Sequence, residues 1–367
     1  MPSNAVVAAS HLAGHLAGWD PSTGTGLVRT VKVRSRAPLR LGLAGGGTDV
    51  SPYCELFGGL VLNATIGRYC HATLERRADD RVEFVAPDLE QRSDLESADA
   101  LGMSLHAAVY RHLNQHFALG DPALTITTCA DAPPGSGLGS SSTLVVALIE
   151  GFREYFSLPL SEYEIASMAY QIERIDCELA GGRQDQYAAV FGGCNMMEFG
   201  ADRVLVNPLR LKPAIVKELE ASLVLYCTGA SRSSAAIIAS QSDHVWARDQ
   251  ERLEATHALK REAMQMKDAL LRGDLKTVAA ILHAGWQAKK RLADGVSNES
   301  IERVLRVARR GGALAGKVTG AGGGGYVMFL VEPVERPALL RHLASIPGGR
   351  VETVHFVEEG AAAWTVR

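Results

Sequence analysis

The chain has 367 residues, 47% hydrophobic and 22% charged, with a formal net charge of −3. That is the composition of a globular protein long enough for two domains with their own cores. So small a net charge excludes the long-range positive field of a nucleic-acid or anionic-membrane binder, and any bound anion must be gripped by local groups.

The six cysteines form no C-x-x-C pair, which argues for a reduced compartment and against zinc. No apolar run approaches the ~20 residues of a membrane span. Residues 1–29 lack the basic and apolar regions of a signal peptide and read as a loose tail, in keeping with a cytoplasmic protein. Alternating apolar and polar residues from Val28 to Arg36 predict a strand, and β-rich composition predicts further strands at Leu60–Ile66, Tyr69–Arg77 and Arg81–Val85. Leu101–Phe117 has helical spacing and Leu124–Cys129 reads as a strand. The loop Asp131–Gly139, rich in Pro and Gly, then leads into a helix at Ser140–Phe156. Helices follow at Ser161–Ile175 and from Asp185 to Phe191.

Beyond Asn207-Pro208 the texture changes. A strand at Leu223–Cys227 precedes helical patterns at Ala235–Leu271, Leu275–Leu292 and Ile301–Arg310. A strand at Leu314–Val318, a glycine loop, a strand at Tyr326–Val331, a helix at Arg336–Leu343 and a strand at Arg350–Phe356 complete the chain. Mixed elements without regular βαβ alternation predict an α+β fold, divided into a tail (1–29), a first domain (30–208) and a second (209–367).

The strongest local signal is the run Pro133, Pro134, Gly135, Ser136, Gly137, Leu138, Gly139, Ser140, Ser141, Ser142, Thr143, between a strand and a helix. Three spaced glycines let a ligand approach the backbone, and the helix start directs unpaired N–H groups and positive dipole into the same loop. This is an anion site suited to nucleotide phosphates, although it lacks the Gly-Lys-Ser/Thr ending of a P-loop. Another run, the third in chain order, Gly320-Ala321-Gly322-Gly323-Gly324-Gly325, matches the dinucleotide fingerprint letter for letter. It precedes a strand rather than opening a helix, so it is read instead as a close approach to a ligand or another backbone. The first in chain order, Gly45-Gly46-Gly47-Thr48-Asp49, follows a predicted strand and places Arg40 and Asp49 about a compact turn.

Two acids stand out for phosphoryl-transfer chemistry, which needs a metal to neutralise phosphate and a group to orient the attacking hydroxyl. Glu173 lies near the end of an amphipathic helix, and Asp185 just past Gly181-Gly182. Read from the residues alone, Glu173 is a metal ligand or a solvated helix-face carboxylate, and Asp185 is a base or a helix N-cap.

Taken together and in this order, the three glycine segments resemble the motifs of the GHMP kinases. Within that superfamily, Leu41–Tyr53, Ala180–Ala189 and Thr228–Ser233 are similar to stretches of the D-glycero-α-D-manno-heptose 7-phosphate kinases, whose members often carry Lys where this chain has Arg183. The resemblance implies a ribosomal-protein-S5-like N-terminal domain, a ferredoxin-like C-terminal domain and a cleft between them. It implies ATP along Pro134–Ser141, Mg2+ on Ser141 and Glu173, Asp185 as catalytic acid/base and Arg40 as stabiliser of transition-state charge. The sugar would meet Gly46, Gly47, Thr48, Asp49, Gly322 and Gly323, with Arg183 and Arg232 as candidates for a distal phosphate.

Lys289, Lys290 and Arg291 divide between that role and a solvated helix end favoured by the dipole. The implied reaction phosphorylates the anomeric hydroxyl of a heptose 7-phosphate, feeding GDP-heptose synthesis for capsule or other surface polysaccharide. A kinase for an unphosphorylated sugar such as galactose or fucose, and a non-catalytic sugar or ATP sensor, remain as alternatives. Partners are small molecules, with no nucleic acid or membrane; a homodimer is left open.

Overall fold

In a computed structural model, which describes residues 31–229 and 235–366, the first strand, β1 (Lys32–Ala44), is longer than its alternating segment. The alternation ends at Arg36, but the strand continues through Ala37–Leu41, buried on both faces. Arg40 therefore sits inside a strand, not at a turn.

The partner strand β2 (Gly59–Arg76) is a single 18-residue strand where two were expected. Its register against β1 shifts between Pro38 and Leu39, so that Gly67 and Arg68 have no β1 partner. Pro38 has no N–H to donate, which is why the ladder slips there. The remaining strands of this eight-stranded sheet are β3 (Glu83–Ala86), β4 (Gln91–Asp94), β5 (Leu124–Ala130), β6 (Cys194–Phe199), β7 (Val204–Pro208) and β12 (Ala362–Val366). The order is β12-β1-β2-β5-β3-β4, with β6 on the other half of β2 and β7 on β6; only β3–β5 is parallel. β4, β6, β7 and β12 carry weak strand signals of their own and owe their form to their neighbours.

The second sheet is antiparallel, in the order β11 (Arg350–Thr353), β8 (Leu223–Cys227), β10 (Tyr326–Val331), β9 (Ala313–Val318). That order, with helices inserted after β8 and β10, is ferredoxin-like. The strands up to Pro208 belong to the first sheet and the next four to the second, before β12 returns to the first. By itself the stretch Lys32–Arg367 forms one unit.

The helices are α1 (Tyr53–Phe57), α2 (Ser104–Phe117), α3 (Ser140–Phe156), α4 (Glu162–Tyr170), α5 (Gln184–Phe191) and α6 (Pro213–Ser222). They continue with α7 (Ala235–Trp246), α8 (Gln250–Arg272), α9 (Leu275–Lys290), α10 (Glu299–Arg310) and α11 (Arg336–Ala344). The pattern expected as one helix over Ala235–Leu271 is two. Arg248 takes a left-handed φ of 52° and Asp249 caps α8 by accepting the Arg252 N–H at 3.2 Å.

Helix α3 packs on β1 and β2 with Val145, Val146, Ile149 and Phe152 fully buried, each contributing about 1.5–3 kcal/mol relative to exposure. This core continues through Leu43, Leu225, Met266 and Met328, while a second apolar cluster holds Val327, Phe329 and Leu339. Among the described residues no helix is long and apolar enough to cross a membrane.

Candidate active site

Helix α3 starts at Gly139, which lies in the left-handed region at φ 83° and provides no side-chain cap. The Thr143 N–H is bonded to the Gly139 carbonyl at 2.9 Å, so the N–H groups before it have no partner within the helix. They face a cavity of about 290 Å3 that is also lined by Gly135, Gly137, Ser140 and Ser141. Ser136 and Leu138 shape the loop from behind, while Pro134 is exposed and outside the cavity lining. Leu138 is fully buried and its carbonyl accepts the Arg40 N–H at 3.1 Å; the Ser136 hydroxyl faces the Leu138 N–H.

The third glycine loop lies backbone to backbone on the second. A Cβ on Gly137 would stand 2.6 Å from the Thr319 carbonyl oxygen, and one on Gly325 would stand 2.3 Å from that of Ser136. The Tyr326 N–H donates to the Ser136 carbonyl at 3.0 Å. Its glycines thus serve mainly a neighbouring backbone. Gly320, Ala321, Gly322 and Gly324 reach the cavity wall. Gly323 does not: its N–H donates to Val296 at 2.9 Å and its carbonyl accepts from Asn298.

Because β1 runs on through Arg40, that side chain emerges between the second glycine loop and α5. Its Nε and Nη2 both donate to Oδ1 of Asp185 at 2.7 Å, and Nη1 donates to the Gly137 carbonyl at 2.6 Å. Asp185 is in the first turn of α5 but does not cap it, so the capping alternative fails. Oδ2 accepts no hydrogen bond from any described group and lies against Gly139, facing the cavity.

Glu173 is not the exposed helix-face carboxylate that its periodicity allowed. After α4 the helix widens into a π segment, Gln171–Asp176, and the change of pitch turns Glu173 inward to 1% exposure. Oε1 accepts the Ser141 hydroxyl at 2.7 Å and lies 3.2 Å from Arg174; Oε2 accepts the Ser142 hydroxyl at 2.6 Å and the Gln186 amide at 2.7 Å. Among the described residues no cluster of three or more His, Cys, Asp or Glu could hold a metal. A hard cation shared with phosphate oxygens needs only one or two protein carboxylates, so a lone carboxylate beside a serine hydroxyl at the cavity edge suits Mg2+.

Across the cavity, Asp49 is buried at the end of the first glycine run. Its Oδ1 accepts from the Gly47 N–H and the Gln184 amide, and its Oδ2 from the Gln184 N–H at 3.0 Å. A Cβ on Gly182 would stand 2.0 Å from that Oδ2, and one on Gly181 would stand 2.1 Å from the Arg174 guanidinium. The glycine pair is thus explained by two side chains that need its space. Gly46 and Gly47 line the cavity, but Thr48 does not: its hydroxyl bonds the Gly45 and Leu60 carbonyls and locks the turn.

The structure corrects the reading of Arg183. Its guanidinium pairs with Glu55 at 2.7 Å, donates to the Gly200 carbonyl and lies over the Tyr170 ring, outside the cavity lining. Arg232, with Ser231 and Ser233, lies outside the described residues.

Several groups at the site had no strong sequence signal: Arg174, Gln184, Gln186, and Gln241 of α7. Lys289 did have one, since it follows Leu282, Gly285 and Trp286 at helical spacing on the buried face of α9. It is buried rather than a solvated helix end, and its ammonium donates to the Gly320 carbonyl. Lys317 on β9 donates to the Leu43 carbonyl at 3.0 Å, joining the first and third glycine segments from beneath. Between these lysines is Glu262 of α8, whose carboxyl is pushed up to about 7 by burial against the opposing pull of Lys317 and Lys289.

Known proteins bear on this geometry. Residues 104–193 match the family model for the GHMP kinases N terminal domain, and residues 266–346 that for the GHMP kinases C terminal domain. The chain is 44% identical, over 91% of its length and 99% of the relative's, to a D-glycero-alpha-D-manno-heptose 7-phosphate kinase of Campylobacter jejuni. A crystal structure described as a D-glycero-D-manno-heptose 1-phosphate kinase from Bacteroides thetaiotaomicron superposes with a TM-score of 0.78 at 42% identity, covering 91% of this chain and 99% of that one. The galactokinase of Lactococcus lactis, complexed with galactose, shares the fold at a TM-score of 0.72 and 18% identity, covering 97% of this chain and 99% of that one. The chain belongs to the GHMP kinases, and it is an ATP-using phosphotransferase acting on a sugar hydroxyl.

Proposed function

We propose that this GHMP kinase transfers the γ-phosphoryl group of ATP to the anomeric hydroxyl of D-glycero-α-D-manno-heptose 7-phosphate, giving the 1,7-bisphosphate. The observation that carries this reading is one cavity with three parts: an uncapped helix start behind a glycine loop, the Arg40–Asp185 pair, and the Ser141–Glu173 pair. The choice of sugar rests on the 44% identical relative from Campylobacter.

ATP phosphates lie along Gly135–Ser141, where the free N–H groups and dipole of α3 favour negative charge. Ser141 and Glu173 would hold Mg2+, which would supply neutralisation of phosphate charge. Asp49, fixed by Gln184 and Gly47, accepts hydrogen bonds from sugar hydroxyls and orients the ring. Asp185 Oδ2, with no hydrogen-bond partner among the described residues, takes the proton of the attacking hydroxyl or holds it in line. Arg40, bound through two nitrogens to Oδ1, keeps that carboxylate in place and offsets charge developing on the transferred group.

The functional division falls near Pro208, with each side supplying part of the site. The protein works in the cytoplasm, where ATP is, and its product serves GDP-heptose synthesis for capsule or related surface glycan. The test is an ADP-release assay across free and phosphorylated heptoses and hexoses. Turnover highest on the heptose 7-phosphate is expected. Preference for a free sugar would replace the reading with an unphosphorylated-sugar kinase, and preference for a 1-phosphate would match the Bacteroides protein's description instead.

A further inference from the structure

One buried cation at the cavity wall, Lys289, is left over by the roles of Arg40, Asp185, Ser141 and Glu173. The inward face of α9 carries Val278, Leu282, Gly285 and Trp286, and Lys289 continues it with only 7% of the residue exposed. An ammonium has three N–H donors. One reaches the Gly320 carbonyl, and among the described residues no second acceptor lies within hydrogen-bond reach. The charges around it are matched, with Asp185 answering Arg40, and Asp49 and Glu262 standing near Lys289 and Lys317. Acceptors rather than charge are in short supply, and a buried ammonium is costly until they replace its lost hydration. They must come from the cavity that Lys289 lines.

Contacts fix which part of the cavity this is. Gly320 packs on the nucleotide loop, since a Cβ on it would stand 2.7 Å from Cα of Gly137. The Gly137 carbonyl in turn accepts Nη1 of Arg40 at 2.6 Å, and Nε of Arg40 holds Asp185 at 2.7 Å. Arg40 from β1 and Lys289 from α9 are thus tied to the carbonyls of touching glycines. Asp185 completes the corner, its Oδ2 3.2 Å from where a Cβ on Gly139 would stand. Gly137, Gly320, Arg40, Asp185 and Lys289 all line the one cavity. A group bound among them has the nucleotide loop on one side and the base for the acceptor on the other. Of the ATP phosphates, only the one being transferred needs both.

We propose that Lys289 is a further catalytic residue, whose ammonium donates to a non-bridging oxygen of the γ-phosphoryl group from the side of the third glycine loop. The transferred group spreads its charge over three equatorial oxygens. Arg40 already commits Nε and one N–H of each terminal nitrogen to Asp185 and Gly137, so it leaves room for a second cation. In the transfer, the acceptor hydroxyl oxygen bonds to the γ-phosphorus and its proton passes to Asp185. The bond from that phosphorus to the bridging oxygen breaks, its electron pair staying on ADP. Lys289 keeps its own proton throughout and stabilises the moving group by charge. This rests on the placement of ATP along Gly135–Ser141 and is independent of which sugar is the acceptor.

The experiment compares ADP with the β,γ-imido analogue of ATP, which carries the additional γ-phosphoryl group, by calorimetry with Mg2+ and no sugar. Lys289→Met keeps the length of the side chain and removes its charge. It is expected to weaken the imido analogue ~10- to 100-fold, the loss of one charge-assisted hydrogen bond, and ADP by about twofold or less. Equal loss of both nucleotides would overturn the proposal and make Lys289 a tether for the third glycine loop. Unchanged binding of both would also overturn it, and a raised KM for the sugar beside that result would move Lys289 to the acceptor.

A second measurement on the wild type does not depend on how the variant folds. Burial, then Lys317 and Arg40, hold Lys289 down at about 7 against Asp49 and Glu262, so at neutral pH part of it is a reactive free amine. Its labelling by acetic anhydride, read by mass spectrometry of the peptide that carries Lys289, should be slowed by the imido analogue and little affected by ADP. Equal protection by both nucleotides would contradict a contact with the γ-phosphoryl group. If the wild type bound neither nucleotide, the placement of ATP along the glycine loop would fail and the proposal with it. Nucleotide binding without the selective loss in Lys289→Met fails the proposal alone.

Discussion

Replacing Glu173 by Gln keeps the size of a side chain that is only 1% exposed and removes its charge. Four donors converge on the carboxylate: Ser141 and Arg174 at Oε1, Ser142 and Gln186 at Oε2. Gln still offers one oxygen to two of them. Its new NH2 faces the other two, and both can adapt. The Gln186 amide, whose own Oε1 is buried without a partner among the described residues, can turn over; that ends its donation to the Ser142 Oγ, which otherwise accepts only from Arg174 and can then rotate to accept. The loss without remedy is the charge-assisted contact of Arg174, about 1.5–3 kcal/mol. A solvated carboxylate, by contrast, would contribute about 0–1 kcal/mol.

In urea unfolding without ligand, that loss lowers the midpoint by about 0.5–1 M at an m-value near 3 kcal/mol/M. In the same variant, half-saturating magnesium for turnover should rise about tenfold or more, from loss of one charged ligand. An unchanged midpoint together with an unchanged magnesium titration would refute both the buried network and the metal role.

Asp185→Asn should retain ATP binding, measured by nucleotide fluorescence or calorimetry, while turnover falls ~10²–10⁴-fold; near-normal turnover would sink its role in the transfer. Gly182→Ala drives a Cβ to within 2.0 Å of Asp49 Oδ2, so Asp49 must shift and KM for the sugar should rise with ATP affinity intact; unaltered sugar KM would exclude Asp49 from the acceptor site. Glu262, held up at about 7 mainly by burial, keeps a proton in the fold that the unfolded chain loses above pH ~4.3. Its contribution to stability is therefore full below pH ~4.3 and declines as pH rises to about 7. Glu262→Gln should remove that decline from the urea midpoint, and parallel pH profiles for the two proteins would count against it.

The three glycine segments were legible because each pairs a local composition with a local consequence, such as an uncapped helix start at Gly139 or a turn closed by Thr48. The amphipathic helices and the second sheet were legible for the same reason. What periodicity could not show was anything fixed by a distant partner. Strands β4, β6, β7 and β12 exist through pairing, and β1 outruns its alternation because Ala37–Leu41 are covered on both faces. The π segment moved Glu173 from surface to interior by one local widening of the helix, which no 3.6-residue template anticipates. Arg183 beside Asp185 looked like a site cation, yet Glu55, far away in sequence, takes it. Lys289 shows the opposite case: its place on the apolar face of α9 was readable, but the shortage of acceptors around it was not.

The most direct test of the account is the identity of the product. Incubating the protein with ATP, Mg2+ and heptose 7-phosphate and following 31P and 13C NMR should show a second phosphorus signal. That phosphorus should couple to the anomeric carbon while the 7-phosphate stays in place. A new phosphate on any other carbon, or ADP formed without a sugar bisphosphate, would contradict a cavity in which Asp185 and Arg40 act on the anomeric hydroxyl.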